Sequence, residues 1–266
     1  MAIDVDLLAK TYFWFDKPVP YKLAEDKTIL ISPIIVEKAE RFLSWIDLIS
    51  IDKNSLADPK FISMSYLEFI IFTFVFNQDK ALAEEAVRKL TSIFLVCLGW
   101  DKPMQIIFNE RQKPMLKLDD MVITAKHFED IRRIILYQNL LDFDDSYVNP
   151  EIKQAMDETD AVKNKDIDPP NLERRMAIIT AHTGISKEQQ MNMTYRSHTA
   201  LFKEVYGEVD YTSARTAMMI GNMFSKTKVP FEDWIYRKKH NKYEKYFTSE
   251  SDFSQSMGGS NTIHTQ

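Results

Sequence analysis

The chain has 266 residues, of which 45% are hydrophobic and 27% are charged, and its formal net charge is −5. These values are ordinary for a globular protein, and a chain of this length can form one large domain or two smaller ones. The overall acidity gives no general reason to expect nucleic acid or anionic lipid as a partner. Six glycines are few, which disfavours turn-rich β folds and glycine-rich nucleotide loops.

A short helix is expected within residues 1–16, because apolar side chains recur there at helical spacing. Three consecutive aromatic residues lie at its end: Phe13, Trp14 and Phe15. We interpret them as an anchor packed on the main body, since aromatic residues dominate core area; contact with a partner is the alternative. The first residues lack the basic start and long apolar core of a signal peptide, so the cytoplasm is the expected location.

Two β-hairpins are predicted, in residues 18–32 and 104–123. In both, apolar and β-branched segments flank a polar turn. An amphipathic helix is expected after each hairpin. Ser32 and Pro33 have the residue types of a helix cap and a first helical residue, so we expect the first of these helices to begin there.

Residues 61–98 predict two helices that are each apolar on one face. Ser65 and Glu68 have the spacing of a capping box at the start of the first helix, and Asp79 can cap the second. Gly99 suits the left-handed position after the second helix. The first apolar run contains an acidic residue and is shorter than the ~20 residues of a membrane span. A buried core helix is therefore expected, and a partner-binding groove or an interfacial helix is the alternative.

Residues 142–168 carry nine acidic residues against three lysines, a net charge of −6. The aspartates that begin at Asp142 invite comparison with a calcium-binding loop. An EF-hand needs glycine at its sixth position and glutamate at its twelfth, where this chain has Tyr147 and Lys153. We therefore expect a solvated helix that ends near Asp160, followed by an extended linker.

A helical unit with a turn at Gly184 is predicted for residues 171–206, with a second capping box at Ser186. Gly207 is expected to end this unit, and residues 211–221 to form a separate short helix.

The helix–turn–helix order around Gly184 raises the possibility of DNA binding. The second helix has no cluster of basic residues to meet phosphates, although three polar side chains on it are able to contact bases. They are Gln189, Gln190 and Asn192. A packing unit is the favoured interpretation.

Residues 225–247 hold seven basic residues against three acidic ones, a net charge of +4, interleaved with aromatic side chains. Such a segment can bind nucleic acid by stacking and charge. Opposite charges favour docking on the acidic segment 142–168, of this chain or of a partner. The expected partner-binding residues are Trp234, Tyr236, Arg237, Lys238 and Lys239.

Together these patterns predict a mainly α protein in four parts. Residues 1–143 form a helical body with both β-hairpins, and residues 144–170 an acidic helix and linker. Residues 171–247 form a C-terminal helical unit. Residues 248–266 are rich in Ser, Gly and Asn, and are expected to be a disordered tail.

The sequence contains no recognisable catalytic, metal or cofactor motif. No histidine pairs with another histidine or a cysteine at metal-ligand spacing. Serine-nucleophile, P-loop and dinucleotide-binding patterns are absent from the sequence. The single cysteine, Cys97, lies on an apolar helix face, so a buried thiol is expected. We therefore expect a protein that is not an enzyme and binds no cofactor.

Several stretches between residues 18 and 210 resemble a group of tailed-bacteriophage proteins that take part in tail or baseplate assembly. They are PVPYK at 18–22, IDKN at 51–54, ISMSYLEF at 62–69, RRIILYQN at 132–139, DFDDSY at 142–147, TGIS at 183–186 and MTYR at 193–196.

This resemblance implies a binding role without catalysis, in the host cytoplasm. Assembly chaperones of this kind cover a helical client, typically the tape measure protein or a baseplate hub component, until the tail tube or baseplate grows around it. Thirteen methionines provide adaptable apolar surface for such a client, and self-association is a further expectation. A structural baseplate or neck component of the virion is the alternative, and a helix-turn-helix DNA-binding protein is the second alternative.

Overall fold

The computed structural model describes residues 3–56, 58–146, 149–163 and 168–224. This part of the chain is 64% helical and contains two small antiparallel sheets, of two and three strands. The predicted mainly α fold with two small β-hairpins is thereby confirmed. The basic segment 225–247 and the predicted disordered tail 248–266 lie outside the described residues.

Ten α-helices and five strands occur among the described residues. The helices are α1 (Val5–Thr11), α2 (Ala39–Ser50), α3 (Pro59–Ser63), α4 (Tyr66–Ile70), α5 (Lys80–Leu98), α6 (Ala125–Asn139), α7 (Pro150–Lys163), α8 (Leu172–Thr183), α9 (Lys187–Met191) and α10 (Tyr195–Phe224). The strands are β1 (Val19–Lys22), β2 (Thr28–Ile31), β3 (Gln105–Phe108), β4 (Pro114–Leu118) and β5 (Met121–Ile123). The hairpins form separate sheets, because β1 pairs only with β2, and β4 lies between β3 and β5.

The chain divides into two compact units. Among the described residues, the first unit comprises those up to 150 together with 169–207, and the second comprises those within 151–168 and within 208–224. The sequence pattern places residues 171–247 in a C-terminal unit, so the two divisions differ over residues 171–207.

A continuous hydrophobic core holds the first unit together. It joins both sheets to α2, α4, α5 and α6, and α2 packs along α5 while α4 packs on α6. Phe42 of α2, Leu67 of α4 and Leu116 of β4 are all completely buried, and burying such a side chain contributes about 1.5–3 kcal/mol. Cys97 is also completely buried, and this burial raises the pKa of its thiol to about 12. The predictions of core helices in residues 61–98 and of a buried thiol are confirmed.

The central helices have the predicted ends. The Ser65 hydroxyl accepts a hydrogen bond from the Glu68 amide at 3.2 Å, and the Glu68 carboxylate accepts one from the Ser65 amide at 2.8 Å. Asp79 caps α5 through the Ala81 amide, and Gly99 ends it with a φ of 65°. After α4 the chain widens into a π-helix over Ile71–Val75.

The helix after the first hairpin begins later than the sequence predicts. The Ser32 amide donates to the Cys97 carbonyl at 2.7 Å, and the Ile34 amide donates to Asn139 Oδ1 at 2.7 Å. These long-range hydrogen bonds hold residues 32–34 outside any helix, and α2 begins only at Ala39. The predicted helix start at Ser32 is therefore wrong.

Gly207 does not end a helix, contrary to the prediction. The helix α10 continues through it to Phe224 and includes the separate helix predicted for residues 211–221. A glycine inside a helix costs about 1 kcal/mol relative to alanine, so a single glycine does not by itself end a helix of 30 residues.

The aromatic anchor at the N-terminus is confirmed for one of its three residues. Phe13 is buried in the core, whereas Trp14 and Phe15 are 62% and 61% exposed. These three residues form a short 3-10 turn, which directs only the first of them inward.

Candidate functional site

The C-terminal half of α10 exposes large apolar side chains. Met219, Ile220, Met223 and Phe224 are 60%, 54%, 77% and 85% exposed. Soluble proteins rarely leave several large apolar residues together in solvent unless they form an interaction surface. We call residues 208–224 of α10 the exposed helix segment.

The exposed helix segment also has the residue spacing of a helix–helix interface. Val209, Thr212, Thr216, Met219 and Met223 follow one another at intervals of three, four, three and four residues. On an α-helix this spacing places the side chains on one face, and it is the spacing with which helices pack side by side in coiled coils.

A second apolar surface lies on the first unit. Phe72 and Phe76 of the π-helical region contact Phe108 of β3, with ring centroids 6.0–6.4 Å apart. All three rings are between 41% and 51% exposed. Contacting aromatic rings at the surface are typical of residues that dominate protein–protein interfaces.

A cleft of about 520 Å³ opens on the first unit where α6 begins beside the start of α4. Its lining combines lysines, carboxylates and an aromatic ring. The lining residues are Lys53, Ser65, Tyr66, Ala125, Lys126, Glu129 and Asp130. We call it the Tyr66 cleft.

Buried charges surround the Tyr66 ring. Arg132 is 2% exposed, its Nε donates to the Ile49 carbonyl at 2.6 Å, and its guanidinium carbon lies 3.4 Å from the ring centroid. Lys53 Nζ lies 4.5 Å from the same centroid and donates to the Met64 carbonyl. A cation over an aromatic face is attracted by the electron-rich ring. The Tyr66 ring therefore stabilises two buried cations.

Burial shifts the pKa values of the charged groups in this cleft. It raises the pKa of the Glu129 carboxyl, against the opposing effect of Arg132. It lowers the pKa of the Lys53 ammonium and raises that of the Tyr66 phenol. Groups with shifted pKa values gathered in a cleft mark a candidate ligand site.

The two carboxylates of the Tyr66 cleft differ in their hydrogen bonds. Asp130 accepts from the Tyr21 hydroxyl at 2.8 Å, and Glu129 Oε1 accepts from Arg132 at 3.0 Å. Glu129 Oε2 is buried and has no donor among the described residues. Sequence analysis did not single out this site, because Lys53, Tyr66 and Glu129 come from three segments that are unremarkable by themselves.

The acidic segment that begins at Asp142 binds basic side chains of its own chain. Asp145 accepts from Arg133 Nε at 2.8 Å and from the Tyr137 hydroxyl at 2.6 Å, and Lys203 donates to Asp142. Within the described ranges, no group of three or more histidine, cysteine or acidic residues is arranged to hold a metal ion.

The polar residues proposed for DNA contact are engaged within the first unit. Gln190 is completely buried, and its Nε2 donates to the Thr180 hydroxyl at 2.9 Å and the Ile185 carbonyl at 3.1 Å. Gln189 belongs to the capping box with Ser186, which is confirmed. This use of Gln190 does not favour the DNA-binding alternative.

The free energy of unfolding is expected to decrease as the pH drops below ~6.5, because of His198. This histidine is completely buried, and its Nε2 lies 3.1 Å from Gln190 Oε1. Burial, and then the charge of Arg175, lower the pKa of His198 below its usual 6.5. In this range the unfolded chain gains a proton that the folded chain does not, so acid favours unfolding. Through this group the free energy of unfolding should decrease by up to about 1.4 kcal/mol for each pH unit. The decrease stops once the pH is below the pKa of His198 in the folded protein.

Urea denaturation between about pH 5 and pH 7.5 measures this effect of a neutral buried histidine. The His198→Gln variant serves as the control, because it lacks the titrating group while the carboxylates elsewhere remain. The difference in free energy of unfolding between the two proteins should be independent of pH above ~6.5 and should change with pH below it. A difference that stays flat throughout would contradict the assignment.

The predicted partner-binding residues, Trp234, Tyr236, Arg237, Lys238 and Lys239, lie outside the described residues. In the described part of the chain, no helix is long and apolar enough to cross a membrane. Comparison with known proteins found no matching family model, no matching curated protein and no matching solved structure.

Proposed function

We propose that this protein is a non-enzymatic assembly protein of a tailed bacteriophage, which binds a helical tail component such as the tape measure or baseplate hub protein in the host cytoplasm. The observation that carries the binding role is the exposed helix segment. The connection to bacteriophages is carried by the sequence resemblance alone.

The chemistry of the exposed helix segment suits a helical client. Three of the five residues at the helix–helix interval are apolar, and three further exposed positions on the segment are methionine, isoleucine or phenylalanine: Met218, Ile220 and Phe224. Methionine is flexible and polarizable, so such a face adapts to different apolar surfaces. An amphipathic client helix can bind there with its own apolar side chains spaced at three and four residues.

The alternative, a baseplate or neck component that stays in the virion, is supported by the same surfaces, since permanent assemblies also bury apolar faces. The two roles differ in copy number. A chaperone is abundant in the infected-cell lysate and absent from finished particles, whereas a component has a fixed number of copies per particle.

Charging the exposed helix segment is expected to weaken client binding. The double variant Met219→Glu and Met223→Glu places two carboxylates on the apolar face, so binding should weaken at least about tenfold. A tagged chain is produced during infection and captured from the lysate, and mass spectrometry counts the tail proteins that co-purify with it. The same method counts the copies of this protein in purified particles.

A matched control carries the same charges elsewhere. Leu7→Glu and Leu30→Glu replace side chains that are 60% and 57% exposed, and this variant should capture as much tape measure or hub protein as the unmodified chain. Equal loss in both variants would remove the site assignment. Capture of no tail protein by the unmodified chain would overturn the proposed function, and a fixed copy number in particles would establish the structural alternative.

A further inference from the structure

We propose that the Tyr66 cleft binds a small uncharged ligand with several hydroxyl groups, of the sugar or cyclic polyol class. This inference is independent of the proposed function, because it concerns a different surface. It rests on the hydrogen-bonding groups that Glu129, Lys53 and Lys126 bring together around the Tyr66 ring.

The cleft offers a buried acceptor that needs a donor. Glu129 Oε1 is bound by Arg132, but Oε2 has no donor among the described residues. Leaving a buried acceptor without a partner costs about 1–3 kcal/mol, and more when it is charged. Glu129 lines the cleft and its side chain is one-third exposed, so a ligand bound there lies beside the carboxylate that needs the donor.

The cleft also offers donors that need acceptors. Lys53 is 8% exposed, and the one acceptor described for its Nζ is the Met64 carbonyl, although an ammonium group carries three N–H bonds. Lys126 lies exposed at the rim. Neither lysine forms an ion pair within the described ranges. A ligand that approaches them must therefore accept hydrogen bonds.

Charge selects among the ligands that fit. Two lysines and two carboxylates line the cleft: Lys53, Lys126, Glu129 and Asp130. A charged ligand of either sign is therefore attracted by one pair and repelled by the other. A hydroxyl group is both donor and acceptor, so neighbouring hydroxyls can donate to Glu129 and accept from Lys53 without any net charge.

The remaining features of the cleft agree with this ligand class. Its volume of about 520 Å³ lies within the usual range for small-molecule sites. The Ala125 methyl group provides apolar surface for the C–H groups that a sugar or polyol carries between its hydroxyls.

The test is a titration of the full ¹⁵N-labelled chain with two probes, methyl glucoside and myo-inositol, followed by amide chemical shifts. We expect saturable shifts of the Ser65, Tyr66 and Ala125 amides. Glu129→Gln and Lys53→Met should each weaken binding at least tenfold. Lys126→Met should weaken binding about threefold. Because it changes only an exposed side chain, it keeps the test valid if a variant at a buried position does not fold.

Control measurements separate this class from the others. Glu85→Gln, a half-exposed carboxylate on α5, should leave binding unchanged. Sodium acetate and methylammonium chloride probe anion and cation binding, and N-acetylglycinamide probes a peptide site. Tighter binding of any of these three than of both polyols would overturn the proposal. So would the absence of saturable shifts with both polyols up to roughly 100 mM.

Discussion

Replacing Arg132 with methionine is expected to lower the free energy of unfolding by about 3–5 kcal/mol, the usual cost of breaking a buried ion pair. The guanidinium is almost completely buried between the Ile49 carbonyl, the Glu129 carboxylate and the Tyr66 ring. Methionine fills much of the space but donates no hydrogen bond, so Glu129 keeps a charge that is partly buried and has lost its donor. Urea denaturation at neutral pH measures the loss.

The neighbouring Arg133 provides the matched control. Its guanidinium binds Asp145 through two hydrogen bonds, at 2.8 and 3.3 Å, and both side chains are about one-fifth exposed. Arg133→Met should therefore cost about 1–2 kcal/mol, less than Arg132→Met, because solvent reaches both ends of this pair. Adding Glu129→Gln to Arg132→Met removes the stranded charge and should recover part of the loss, with a coupling of about 1–3 kcal/mol. Equal destabilisation by Arg132→Met and Arg133→Met would show that the buried contacts of Arg132 contribute no more to the free energy of unfolding than the pair of Arg133 with Asp145.

Features that depend on neighbouring residues were predictable from the sequence. The capping boxes at Ser65 and Ser186 and the left-handed Gly99 are all present, because a cap is formed by side chains within three or four residues of the backbone groups that it satisfies. Both hairpins are also present, since their strand residues and turns adjoin in the chain.

Features that depend on distant residues were not predictable in this way. Ser32 has the residue type of a helix cap, but its amide donates to Cys97, a partner that only the tertiary structure brings near. The Tyr66 cleft has the same origin, because Arg132 and the carbonyl that it binds on Ile49 are 83 residues apart. Exposure is equally non-local: the apolar pattern of residues 211–221 indicates a helix, whereas the exposure of Met219 depends on what packs against it.

Replacing Gln190 with leucine is expected to lower the free energy of unfolding by about 2–4 kcal/mol, because buried polar groups then lose their partners. The Gln190 side chain links α8 to α10: its Nε2 donates to the Thr180 hydroxyl and the Ile185 carbonyl, and its Oε1 faces His198 Nε2 at 3.1 Å. Leucine has a similar size but no polar atoms. His198, whose Nδ1 already has no partner among the described residues, would then be buried without one at either ring nitrogen.

The adjacent Gln189 makes the comparison sharp, because it has the same side chain in a different environment. Gln189 is exposed, and its Oε1 accepts one hydrogen bond, from the Ser186 amide at 2.9 Å. Gln189→Leu should therefore cost about 1 kcal/mol or less, since water can replace the lost partner. Hydrogen exchange locates the effect: Gln190→Leu should speed exchange in α8, α9 and the first turns of α10, and leave α5 unchanged. A loss for Gln190→Leu no larger than that for Gln189→Leu would mean that the buried amide does not join these helices, and His198 would then need another partner to account for its burial.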